Sequence, residues 1–148
     1  MKSGLIDVFR GLATAGVLLS AAVHLVLYFP PNDFKDINTI GPLFLLNGLG
    51  GIVLGVIIAS WRHWLPALGA AGFGAITVIF FWISVQRPLF GFQEPSATGA
   101  TQMLAQIAEY GAVLFGLLAA AGLWRESAAR VRRQRADDVT QHRAARVR

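Results

Sequence analysis

No cysteine occurs among the 148 residues. Disulfides, thiolate metal sites, thiol nucleophiles and CxxC redox chemistry are thereby excluded. Charge is scarce as well: Asp, Glu, Lys and Arg make up 14% of the chain against 55% hydrophobic residues, a balance that soluble domains of this size do not hold. Proline is confined to Pro30, Pro31, Pro42, Pro66, Pro88 and Pro95. The sequence shows no glycine-rich phosphate loop, no zinc-ligand spacing and no nucleophile with an adjacent base. No catalytic residue, metal ligand or cofactor is therefore assigned, and an enzyme is not expected.

What fills the chain instead is four long apolar runs, 11–29, 42–61, 65–85 and 103–124. Each has about the ~20 residues that an α-helix needs to cross a ~30 Å hydrocarbon core. The expected fold is all-α, a bundle of four transmembrane helices over residues 1–124 followed by a basic tail over 125–148. Pro30 and Pro31 cannot continue the first helix, Gly41 and Pro42 suit the cap and first position of the second, and Pro66 suits the first turn of the third. The first run has the basic start of a secretion signal, but its length and the absence of a strong small-x-small site after it favour a retained span.

The net charge of +5 invites a nucleic-acid reading until its location is considered. From Arg125 onward eight arginines face only Glu126, Asp137 and Asp138, while the first 124 residues balance at five basic against five acidic. The excess belongs to the tail alone, where Arg130, Arg132, Arg133 and Arg135 suit anionic lipid headgroups, each by up to about 1 kcal/mol near the surface. Lys2, Arg10, Arg62 and the tail share one side, and Lys35 and Arg87 lie on the other. The positive-inside rule then places both termini in the cytoplasm. The bilayer is the expected partner, a membrane protein or further copies of the chain are open alternatives, and nucleic acid is not expected. Trp61 and Trp64 bracket Arg62 and His63 in a tight link at headgroup depth.

Small residues should mark the helix seams, because association in lipid depends on close backbone approach. Gly11, Ala15 and Ala22 in the first run, Gly48, Gly51 and Gly55 in the second, Gly69, Ala70, Gly72 and Gly74 in the third, and Gly111, Ala112, Gly116 and Ala120 in the fourth are the candidates, with intramolecular packing favoured over a dimer face.

Inside the runs only His24 and Glu109 titrate near neutrality or carry full charge. By the ~1.5 Å rise per residue, His24, Asn47 and Glu109 come to within roughly 7 to 9 Å of one membrane boundary, on three different helices. Gln102, Gln106 and Glu109 form one polar stripe at i, i+4, i+7, beside Tyr110. A carboxylate at such depth needs a partner, water or a proton, and His24 is the natural partner for it. His24, Asn47, Gln106 and Glu109 are thus the candidates for a ligand-binding or proton-linked site. The aromatic segment 87–95 suits a lid, with Phe90 and Phe92 over the polar level.

His24, the run Thr39-Ile40-Gly41-Pro42-Leu43-Phe44-Leu45-Leu46, the run Leu89-Phe90-Gly91-Phe92-Gln93-Glu94 and Glu109 together resemble uncharacterised four-helix integral membrane proteins of high-GC bacteria. The resemblance covers roughly residues 10 to 124. In helix number the chain is loosely similar to the DoxX group. The resemblance implies fold and a bacterial inner-membrane location, and no activity. Small multidrug transporters also have four short helices and one membrane carboxylate, but theirs lies in the first helix and Glu109 lies in the fourth. Two readings follow: a non-enzymatic structural or accessory membrane component, which is favoured, and proton-linked binding or transport of a small ligand at His24 and Glu109.

Overall fold

The computed structural model describes residues 3–32 and 34–145. Lys2, Asp33, Arg146 and Arg148, which enter the charge reading, lie outside them. The chain folds into four α-helices, α1 (Ser3–Tyr28), α2 (Ile40–Ser60), α3 (Trp64–Gln86) and α4 (Ala100–Ala145), with a single 3-10 turn at Phe34–Asp36 between α1 and α2. All four are long and apolar enough to cross a membrane. The expected all-α bundle is the observed one.

Three boundaries differ from the sequence reading. α1 begins at Ser3 rather than at residue 11, since nothing in Ser3 to Arg10 breaks a helix and the polar residues there find partners. α2 begins at Ile40 with Thr39 as its cap, so Gly41 and Pro42 lie within its first turn, where a missing N–H is tolerated, rather than at the cap and first position. α4, expected to run a few turns past Trp124 and then fray, continues to Ala145. Beyond Gly122 the sequence has neither glycine nor proline and is rich in Ala, Arg, Gln and Glu, all strong helix formers. Glu126 and Arg130 add an i, i+4 ion pair of 3.6 Å. The tail is therefore a projecting helix, continuous with the fourth span.

α4 is the hub of the bundle. It packs along α1 on one side and α3 on the other, α1 in turn packs along α2, and α2 touches α3 only sparsely. The close seams lie where side chains are absent. A Cβ on Gly16 would stand 2.7 Å from the Ala108 carbonyl oxygen, one on Gly74 2.5 Å from that of Glu109, and one on Gly116 2.8 Å from that of Ala67. Gly51 and Gly55 face Ala21 and Leu18 of α1, so this GxxxG pair serves the interior of the bundle.

At the end carrying the α2–α3 link, Arg62 ties that link to both α1 and α4. Its guanidinium donates to Asp7 at 3.0 Å, to Glu126 at 2.8 Å and to Ser3 at 2.9 Å. The Glu126 and Asp7 carboxylates hold Arg62 above its already high ordinary pKa. Arg10 donates to the carbonyls of Ile58 and Ala59, the orphan acceptors at the end of α2. His63, stacked between Trp61 and Trp64, accepts from the Leu65 N–H and so caps α3. Arg62→Ala should lower the melting temperature, and the deficit should shrink in 1 M salt, where the Debye length falls to about 3 Å. A deficit independent of salt would show that Arg62 acts by packing.

Candidate functional site

The polar residues of the spans gather at the opposite end, around a cavity of about 410 Å³. All four helices supply its walls, including His24 from α1, Asn47 from α2, Thr77 from α3 and Glu109 from α4. Thus the three residues singled out by depth, His24, Asn47 and Glu109, line one space.

The expected direct pairing of His24 with Glu109 is replaced by a relay through Ser20. The Ser20 hydroxyl, itself fully buried, donates to Glu109 Oε1 at 3.0 Å, and the Ser20 carbonyl stands 2.9 Å from His24 Nδ1. A carbonyl only accepts, so Nδ1 carries a hydrogen and Nε2 is the open position of the neutral ring. Ser20 and His24 are one helical turn apart, and this i, i+4 step puts both on the face of α1 that meets α4. The signal was present in the sequence, but a hydroxyl among apolar residues costs little to bury when it bonds locally and so gives no alarm.

Asn47 is held elsewhere. Its Nδ2 donates to the Thr77 hydroxyl at 3.0 Å, which itself donates to the Phe73 carbonyl at 2.9 Å. Asn47 Oδ1 is buried without a hydrogen-bond partner among the described residues. Glu109 is only 1% exposed. Its Oε2 and the Nε2 of His24 likewise make no hydrogen bond among the described residues. The lining thus carries one buried acceptor without a partner, Asn47 Oδ1, beside His24 and Glu109, each of which makes a single side-chain hydrogen bond among the described residues.

The glutamine stripe is split by the loops. Gln102 lines the cavity and donates to Glu94 at 3.1 Å, whereas Gln106 turns to the Ala97 carbonyl at 3.0 Å and does not line the cavity. Gln106 is thus a loop anchor, because the segment before α4 folds back over that helix face. Tyr110 points outward and accepts from Trp82 Nε1 at 2.9 Å on the exposed side of α3 and α4.

The two lid candidates also part. Phe92 lines the cavity, while Phe90 is 54% exposed and does not. The reason is the tight turn Leu89 to Phe92, closed by hydrogen bonds of 2.7 and 3.0 Å. Its central residues Phe90 and Gly91 have φ of 51° and 82°, so consecutive side chains diverge. Phe34 completes the cover: it stacks on Phe44 at 5.0 Å and meets Phe92 edge-on at 5.6 Å, while Phe44 lies 4.8 Å from the His24 ring. Neither Phe34 nor Phe44 was readable as part of the site, since both look like interfacial aromatics in sequence.

Of the headgroup candidates, Arg130 is exposed beside Glu126, and Arg132, Arg133 and Arg135 stand exposed around the projecting part of α4. Among the described residues no group of three or more His, Asp or Glu side chains converges. The chemistry within reach of the cavity is hydrogen bonding, ion pairing and proton exchange at His24 and Glu109. Comparison with family models, curated proteins and solved structures finds no match to the chain.

Proposed function

We propose that this chain is a non-enzymatic membrane protein that binds a small ligand in the cavity, with Glu109 as the principal contact and Ser20 and His24 positioning it. The observation that carries this reading is that His24, Asn47 and Glu109 converge from three helices on a space of about 410 Å³, with Asn47 Oδ1 buried and without a hydrogen-bond partner among the described residues. A polar layer serving only to fix helix register would satisfy its members with one another, because each orphan costs stability. Ligand pockets, by contrast, are mostly apolar spaces of ≈ 300–1,000 Å³ with a few convergent polar groups.

The distribution of charge supports a bacterial inner-membrane orientation with both termini cytoplasmic, which puts the cavity in the outer half of the bilayer. A second reading, an accessory subunit of a larger complex, is favoured by the long α4, which continues past Trp124 as an exposed helix well beyond the apolar spans.

Native mass spectrometry of the protein purified from its own membrane separates the two. Ligand binding predicts a small molecule retained by the wild type and lost in Glu109→Gln, with helix content and melting temperature kept. A protein free of small molecules that purifies in a stoichiometric complex would overturn the ligand reading in favour of the subunit.

A further inference from the structure

The opening of the cavity is decided by how α2 and α3 separate. They touch at Leu54 with Gly69 and at Gly51 with Phe73, and the Asn47–Thr77 hydrogen bond joins them again, but contact between them is otherwise sparse. Leu46 and Ile76 line the cavity yet are 68% and 58% exposed. They therefore form the jambs of a window in the side of the bundle, at the level where acyl chains lie. The Phe34–Phe44–Phe92 stack spans the adjacent end. Access is from the bilayer, between α2 and α3.

The interior specifies what would enter. Phe44, Phe73, Phe80, Phe81 and Phe92 all line the space, an aromatic wall within which a cation is tolerated better than in a purely aliphatic one. At its polar end stand the Glu109 carboxyl, the His24 ring and the Asn47 amide oxygen, the last buried without a donor among the described residues. A buried carboxylate is offset best by a cation that also donates hydrogen bonds. A fatty acid would place a second negative charge beside Glu109. A quaternary ammonium has no N–H to give to Asn47 or His24.

We propose that the cavity takes a lipophilic amine, a protonated alkyl amine with an apolar body, which enters from the bilayer through the α2–α3 window and pairs its ammonium with Glu109. This rests on the ligand-binding reading above and names the class of ligand.

The test uses the full chain in nanodiscs of zwitterionic lipid, titrated calorimetrically with dodecylamine, dodecyltrimethylammonium, dodecanol and dodecanoic acid. Saturable dodecylamine binding is expected, about tenfold or more tighter than the quaternary analogue or the alcohol, with no saturable binding of the acid. Glu109→Gln should weaken the amine by about tenfold or more. Gly50 lines the cavity, and a Cβ there meets nothing within 4 Å. Gly50→Trp should therefore fold normally, obstruct the window and abolish amine binding even where Glu109→Gln proves unstable. Equal affinity for amine and acid, or amine binding unchanged in Gly50→Trp, overturns the proposal. If native membranes yield a bound molecule that dodecylamine does not displace, the amine assignment fails while the ligand reading stands. If they yield none and the amine does not bind, both fail.

Discussion

Alanine in place of Gly16, Gly74 or Gly116 is expected to destabilise the bundle by about 1–3 kcal/mol at each site, the usual effect of forcing extra volume into a packed seam. At these positions the added Cβ meets backbone: the Ala108 oxygen at 2.7 Å for Gly16, the Glu109 oxygen at 2.5 Å for Gly74, and the Ala67 oxygen and Ala71 nitrogen at 2.8 Å for Gly116. Backbone atoms cannot rotate away as a side chain can, so α4 must move off α1 or α3. In lipid that separation forfeits dispersion contacts and gains nothing from hydrophobic burial. Gly11 and Gly72 supply the control, since a Cβ at either meets nothing within 4 Å. Their alanine variants should be as stable as the wild type or slightly more so, given that alanine is the better helix former by up to about 1 kcal/mol. Unfolding in mixed micelles, followed by loss of helical signal, measures all five. Equal effects of Gly72→Ala and Gly74→Ala would mean that the α3–α4 seam is not where the structure puts it.

The second large effect concerns Ser20 and Glu109. Ser20→Ala removes the one hydrogen bond that Glu109 makes among the described residues. The expected cost is about 1–3 kcal/mol, the penalty for leaving a buried polar group unsatisfied. With Glu109→Leu as background the same Ser20→Ala should cost markedly less, because no carboxyl remains to be orphaned. Glu109→Leu together with Ser20→Ala should keep or raise stability, as replacing both partners of a buried polar pair by apolar groups often does, while abolishing ligand retention. That combination separates a group kept for binding from one kept for structure. Additive costs across the double-mutant cycle would show that Ser20 and Glu109 do not meet. A bundle that falls apart in the double variant would assign the carboxyl to assembly.

Legibility in the sequence varied by residue for physical reasons. The four spans were readable because crossing a membrane is a requirement on local composition summed over about 20 residues, and Pro30, Pro31, Pro42 and Pro66 act on their own backbone. The common level of His24, Asn47 and Glu109 was readable from helical rise alone. That α4 runs on to Ala145, rather than for a few turns past Trp124 before fraying, was missed because hydropathy reports only where the apolar run ends, and α4 continues beyond it on helix propensity. Arg10, Arg62 and Glu126 showed their side of the membrane in sequence but not that they tie the ends of the helices together.

Alone, then, the sequence determined that this is a chain of four apolar helices with its polar groups at one depth near one end and its excess positive charge beyond the fourth. Only the tertiary structure decided that Ser20 stands between His24 and Glu109, that Asn47 bonds Thr77, that Phe92 rather than Phe90 covers the cavity, and that the space opens between α2 and α3. Depth along a helix follows from counting residues. Direction around it depends on the rotation of every helix at once, set by where Gly16, Gly74 and Gly116 let α4 approach its neighbours.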